Sequence, residues 1–128
     1  MKLASIDVGL KRIGVAICLT SNIVTPQPAI IRKNRNQAAT DVNTFLKEWE
    51  IEKLIVGFPS ASIDMQNRIN HFVSLLELKI PYEFCEENMS SIEAEDLIKG
   101  EIKYKRDGRI DSLAAKIILE RYLTKKIS

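Results

Sequence analysis

The chain has 128 residues, of which 45 % are hydrophobic, and a formal net charge of +2. This length and hydrophobic content predict a single domain, residues 1–128, with enough apolar material for a core. No apolar run approaches the roughly 20 residues that span a bilayer, and Asp7 comes too early for a secretory signal, so we expect a cytoplasmic protein without a membrane partner.

The first part of the chain predicts three strands. Residues 2–8 and 13–19 read as strands that a short turn at 9–12 joins into a hairpin. Both faces of these strands are apolar, which predicts helices on both sides of the sheet. A third strand within residues 23–31 contains two prolines, and we therefore expect an edge strand or an irregular piece there.

The rest of the chain alternates helical and strand patterns, with apolar residues three to four apart in the helices. The predicted elements are helix 36–49, strand 54–56, helix 64–78, strand 81–85, a short helix 90–98 and helix 110–123. The predicted fold class is therefore α/β, with a mixed five-stranded sheet and helices on both faces.

Two aspartates about a hundred residues apart, Asp7 and Asp111, each lie among apolar residues. A carboxylate in such a setting is costly unless a cation compensates it. Asp7 lies near the carboxyl end of the first strand, where the sites of α/β sheets gather. Asp111 shares a helix face with Ala114, Ala115 and Ile118, which predicts that this face turns to the sheet. Glu86 and Glu87 add two acids at the end of another strand.

Each acid also has a structural interpretation. Asp7 could accept backbone N–H bonds in the following turn. Asp111 could stabilise the start of the last helix, and Glu86 and Glu87 could be exposed charges at a junction. Acids from two strands and a helix that converge on one point would instead bind Mg²⁺ or Mn²⁺, an arrangement that suits phosphodiester chemistry.

Positive residues cluster along the chain, whereas the acids fall mostly between residues 41 and 96. The clusters lie at 11–12, 32–35, 99–109 and 121–126. This asymmetry is compatible with a basic patch for nucleic acid and equally with an ordinary solvated surface.

Four segments resemble, in order, the motifs of the YqgF (RuvX) family of bacterial RNase H-like proteins. They are residues 7–16, 55–59, 86–95 and 110–115. The chain departs from the family pattern at Asn88, where the family has an arginine, and in a shorter loop after Pro59.

The resemblance implies an RNase H-like fold and a catalytic set contributed by two strands and the last helix. That set is Asp7, Glu87 and Asp111, with Glu86 as a further metal ligand. The residues expected to contact nucleic acid are Lys11, Arg12, Ser90 and Arg109.

The leading hypothesis is a metal-dependent endonuclease, a hydrolase that processes the 5′ end of precursor 16S rRNA in ribosome biogenesis. Alternatives are a Holliday junction resolvase acting on branched DNA and a non-catalytic RNA-binding ribosome-assembly factor. The hairpin around Asp7 also resembles the phosphate loop of actin-like and sugar kinases, but these need two such domains. A monomer suffices for trimming RNA, whereas junction cutting needs a homodimer.

Overall fold

A computed structural model of the chain describes residues 1–20, 23–60, 62–86 and 109–127, and the side chains of 112–125 within the last range. Its elements are, in chain order, β1 (Leu3–Val8), β2 (Arg12–Cys18), β3 (Thr25–Ile31), α1 (Arg35–Glu48), β4 (Lys53–Phe58), α2 (Ile63–Leu76), β5 (Tyr82–Glu86) and α3 (Arg109–Ile127). No helix in these ranges is long and apolar enough to cross a membrane.

The predicted α/β class and the mixed five-stranded sheet are confirmed. The short helix predicted to begin at Ser90 lies outside the described residues. Several boundaries differ from the prediction: α2 ends at Leu76 rather than at residue 78, α3 continues to Ile127 rather than to residue 123, and β4 continues through Gly57 and Phe58 rather than ending at Val56. Both residues pair with β5. The strand ends before Pro59, which has no backbone N–H to donate to a further ladder bond.

The strand order is β3-β2-β1-β4-β5. Strand β2 is antiparallel to both β1 and β3, whereas β4 is parallel to β1 and to β5. Four strands therefore end at the same edge of the sheet, which we call the carboxyl edge; their last residues are Val8, Ile31, Phe58 and Glu86. The proline-containing β3 lies at one side of the sheet, as predicted.

One face of the sheet packs against α1 and α2, and we call it the α1/α2 face. Strand residues such as Ile6, Val15 and Val56 share this core with Val42 of α1 and Phe72 of α2. The opposite face, the α3 face, carries smaller side chains, which leave room for a helix. Its core comprises Leu3, Ala16, Cys18, Val24, Ile55, Cys85, Ala115, Ile118, Leu119 and Tyr122.

Hydrogen bonds from several strands hold α3 to the sheet. Ser5 Oγ on β1 donates to the carbonyl of Ala115 at 2.6 Å, and Ser112 Oγ donates to the carbonyl of Gln27 on β3. Towards the other end of the helix, Lys53 Nζ at the start of β4 donates to Tyr122 Oη at 2.8 Å. The helix therefore crosses the sheet obliquely from β3 to β4.

The turn between β1 and β2 depends on a close approach of backbone to backbone. Gly9 N donates to the carbonyl oxygen of Arg12 at 3.0 Å. A Cβ on Gly9 would lie 2.5 Å from that same oxygen, so another residue here would force the turn open. The carbonyl oxygen of Gly9 accepts a hydrogen bond of 2.9 Å from Arg32 Nη1.

Replacing Ser5 with alanine is expected to lower the free energy of unfolding by about 1 kcal/mol, because a buried hydrogen bond between β1 and α3 is lost. Chemical denaturation measures this change. The control is Thr44→Ala, which removes an exposed hydroxyl bonded within α1 and should change stability by no more than about 0.5 kcal/mol. Equal effects of the two variants would contradict the anchoring role of Ser5.

Gly9→Ala is expected to destabilise the protein by about 1–3 kcal/mol, because the new methyl group collides with backbone rather than with a movable side chain. The control is Leu10→Ala in the same turn, where the leucine is 63 % exposed and truncation should be nearly neutral. Thermal unfolding followed by circular dichroism compares the two. A Gly9→Ala protein as stable as Leu10→Ala would show that the turn relaxes without cost.

Candidate active site

Asp7 is the penultimate residue of β1 and lies at the carboxyl edge. It is only 6 % exposed. Because strand side chains alternate, Asp7 shares a face with Ser5, which bonds to α3. The sequence prediction that Asp7 lies near the carboxyl end of the first strand is therefore confirmed, and its carboxylate belongs to the α3 face.

Glycines flank Asp7 on both neighbouring strands. On β2 its partner is Gly14. On β4 the register pairs Ile6 with Val56, so Gly57 is the next residue beside Asp7. Neither neighbour adds a side chain next to the carboxylate, which leaves space at this point of an otherwise closely packed sheet. The role of Gly57 was missed from the sequence, where a glycine before Phe-Pro looked like the end of a strand.

Helix α3 brings Asp111 towards the same end of the sheet. Asp111 comes one helical turn before Ala115, and Asp7 comes two residues after Ser5, the residue that bonds to Ala115. Both steps cover about 6 Å, one along the helix and one along the strand. The backbone of Asp111 therefore lies at the N-terminal end of α3, beyond the Ser5 anchor; its side chain is outside the described set.

Glu86 lies at the carboxyl edge but on the other face. The preceding Cys85 packs on the α3 face and approaches the carbonyl of Ile118 at 3.8 Å. Phe84, two residues before Glu86, stacks on Phe58 with ring centroids 4.6 Å apart on the α1/α2 side. Alternation therefore assigns Glu86 to the α1/α2 face, where its Oε1 accepts a bond of 2.9 Å from Ser60 Oγ.

Two of the four residues predicted to contact nucleic acid are described, and both lie at the carboxyl edge, in the β1–β2 turn or directly after it. Lys11 is exposed in the β1–β2 turn, and Arg12 is half-buried at the start of β2. Ser90, Glu87 and the side chain of Arg109 lie outside the described residues.

Other candidate catalytic groups do not assemble in the described part of the chain. Burial raises the pKa of the Cys85 thiol, which opposes formation of a nucleophilic thiolate. His71 is exposed on α2, where its Nδ1 lies 3.2 Å from Arg35 Nη1. Among the described side chains no three of His, Cys, Asp and Glu are grouped to hold a metal ion. A carboxylate site at Asp7 therefore needs ligands from beyond these side chains.

Comparison with known proteins bears on the whole chain. A family model described as "RuvX: Holliday junction resolvase" matches residues 1–125. A relative from Sulfurovum sp., named "Putative pre-16S rRNA nuclease", is 64 % identical over 97 % of this chain and 99 % of its own length. A relative of the same name from Sulfurimonas denitrificans is 50 % identical over 98 % of this chain and 99 % of its own.

Solved structures share the fold at much lower identity. Fowlpox virus resolvase, in a complex with Holliday junction DNA, gives a TM-score of 0.58 at 16 % identity and covers 99 % of both chains. Thermus thermophilus RuvC gives 0.51 at 12 % identity, covering 100 % of this chain and 97 % of its own. The family model and the close relatives show that the chain belongs to the RuvX (YqgF) family, whose model is described as a Holliday junction resolvase.

Proposed function

We propose that this protein is a metal-dependent endonuclease that processes the 5′ end of precursor 16S rRNA in the cytoplasm. The observation that carries the proposal is the buried carboxylate of Asp7 at the carboxyl edge, between two glycines and beneath the N-terminal end of α3. The names of the close relatives support the rRNA substrate.

The donor set that we propose for the metal is Asp7, Glu87 and Asp111. Carboxylate oxygens suit a hard divalent cation such as Mg²⁺ or Mn²⁺. Such an ion supplies positive charge that stabilises the phosphoryl oxygens in the transition state of phosphodiester cleavage. Asp7 fits this role because the strand and its burial restrict its carboxylate to one small region, and the adjacent glycines leave space there for an ion.

Of the two adjacent glutamates we assign the catalytic role to Glu87. Glu86 is bonded to Ser60 on the α1/α2 face, opposite the face of Asp7. A ligand from β5 has to reach the α3 face, and this favours the residue that follows Glu86 in the chain over Glu86 itself.

The cationic residues of the β1–β2 turn complete the proposed site. Lys11 and Arg12 come four and five residues after Asp7 and lie at the same edge of the sheet. We propose that they hold phosphates adjacent to the cleaved bond, which offsets the repulsion between the substrate and the carboxylates.

A second candidate function is the resolution of Holliday junctions, which the description of the family model favours. Symmetric cutting of a four-way junction needs two active sites related by a two-fold axis, and hence a homodimer. Trimming one end of an RNA needs a single site. Comparison of the two substrates, with the oligomeric state measured in parallel, distinguishes these functions.

Asp7→Asn is expected to reduce cleavage of a 5′-labelled precursor 16S rRNA transcript about a hundredfold or more, because the amide cannot replace the charge of the carboxylate. Chelation by EDTA should stop the wild-type enzyme equally. The assay uses Mg²⁺ and Mn²⁺ in turn, with a four-way DNA junction as the second substrate.

The control for this experiment is Glu48→Gln, which removes the same charge from an exposed position at the far end of α1 and should cleave like the wild type. Unchanged cleavage by Asp7→Asn, or cleavage in the presence of EDTA, contradicts the proposed site. Wild-type protein that binds the RNA and cleaves neither substrate would instead favour a non-catalytic assembly factor.

The two glutamates provide a matched pair of variants. Glu87→Gln is expected to lose cleavage to the same extent as Asp7→Asn, whereas Glu86→Gln should remain within about threefold of wild type, since an exposed carboxylate bonded to Ser60 is lost. Initial rates under identical metal concentrations provide the comparison. The reverse result would assign the ligand role to Glu86.

A further inference from the structure

Three arginines come together at the carboxyl edge on the α1/α2 face; we call Arg32, Arg35 and Arg68 the arginine patch. Arg32 directly follows β3, Arg35 is the first residue of α1, and Arg68 is exposed on α2. Arg32 and Arg35 both reach α2 within about one turn of Arg68: the guanidinium of Arg32 lies over the ring of Phe72, and Arg35 Nη1 lies 3.2 Å from His71 Nδ1. Burial lowers the pKa of the Arg32 guanidinium, and the charges of Arg35 and Arg68 lower it further. Three like charges thus share one region of the surface.

Acidic side chains do not neutralise this patch within the described part of the chain. Asp64 lies one turn before Arg68, but these two side chains form no ion pair. The Nη1 of Arg68 instead lies 3.8 Å from Met65 Sδ. Asp41 accepts a bond from the side chain of Gln37. The first turn of α1 has no acidic residue, so the positive end of the helix dipole adds to the charge of the arginines.

Arg32 connects the patch to the candidate active site. Its Nη1 donates to the carbonyl of Gly9 at 2.9 Å, and its guanidinium lies over the ring of Phe72, 5.5 Å from the centroid. Gly9 follows Asp7 by two residues. Arg32 therefore lies roughly 10 Å from Asp7, across the β1–β2 turn.

We propose that the arginine patch binds the phosphate backbone of the nucleic-acid substrate a few nucleotides from the cleaved bond. This inference rests on the proposed function, because it assumes that the strand is cut at Asp7. Guanidinium groups suit phosphates because they donate two parallel bonds to the oxygens.

The test removes the two exposed charges of the patch and leaves Arg32, which supports the turn, in place. The double variant Arg35→Gln/Arg68→Gln is compared with Lys47→Gln/Lys79→Gln. Lys47 lies in the last turn of α1 and Lys79 follows α2, and both are exposed. Each pair therefore removes two exposed positive charges, either from the two helices at the carboxyl edge or from the opposite end, in α1 and just after α2.

Binding is measured in EDTA, so that cleavage does not interfere. The probe is a fluorescent transcript of the 5′ segment of precursor 16S rRNA, titrated between about 50 and 200 mM salt. We expect the arginine variant to raise Kd about tenfold and to reduce the slope of log K against log salt by between about one and two. The lysine variant should bind like wild type, and both should keep the wild-type Tm.

A shortened probe tests the position of the contact. With RNAs truncated in turn on either side of the cleavage point, the difference between wild type and the arginine variant should disappear once the RNA on one side is too short to span the roughly 10 Å from Asp7 to the patch. A difference that persists with the shortest RNAs would overturn the proposed position.

Equal binding by wild type and the arginine variant would overturn the proposal, as would an equal loss in the lysine variant, which would indicate a general effect of charge. The proposal would also be overturned if the arginine substitutions raised the Kd for a poly-glutamate peptide but left the Kd for nucleic acid unchanged. Failure of the proposed cleavage is recognised separately, because a protein that never cleaves can still show the shift in Kd and in salt slope.

Discussion

The hydrogen bond from Ser5 to the carbonyl of Ala115 determines how the two ends of the chain meet. Sheet register alone brings Asp7 to the carboxyl edge, but Asp111 is supplied by a helix that enters more than a hundred residues later. A shift of α3 by one residue would move it about 1.5 Å and rotate it by about 100°. The bonds of Ser5, Ser112 and Tyr122 prevent such a shift, so the candidate site depends on contacts outside it.

Much of the fold follows from patterns that repeat within a few residues. The alternation in β1 and β2 predicted two apolar faces, and the helices are found on both. The spacing of Ala114, Ala115 and Ile118 predicted the face that α3 turns to the sheet, and all three are buried. These patterns succeed because burial of a face is a local requirement on each strand or helix.

The remaining features depend on partners that are distant in sequence. A serine among apolar residues gives no indication that its hydroxyl will meet Ala115, and the approach of Arg32 to Gly9 depends on the pairing of β2 with β3. The glutamates are a sharper case. Side chains of a strand alternate between the two faces of the sheet. An error of one residue in the predicted register would therefore exchange the faces assigned to Glu86 and Glu87. Only the packing of Cys85 and Phe84 assigns Glu86 to a face.

Charge is divided between the two faces of the carboxyl edge. Arg32 is held by a backbone carbonyl and the ring of Phe72, on the far side of the β1–β2 turn from Asp7. A substrate that contacts both faces has to bend across this turn within roughly 10 Å. A duplex with a persistence length of about 50 nm resists such a bend, which favours a single-stranded end or a branch point as the segment that is cut.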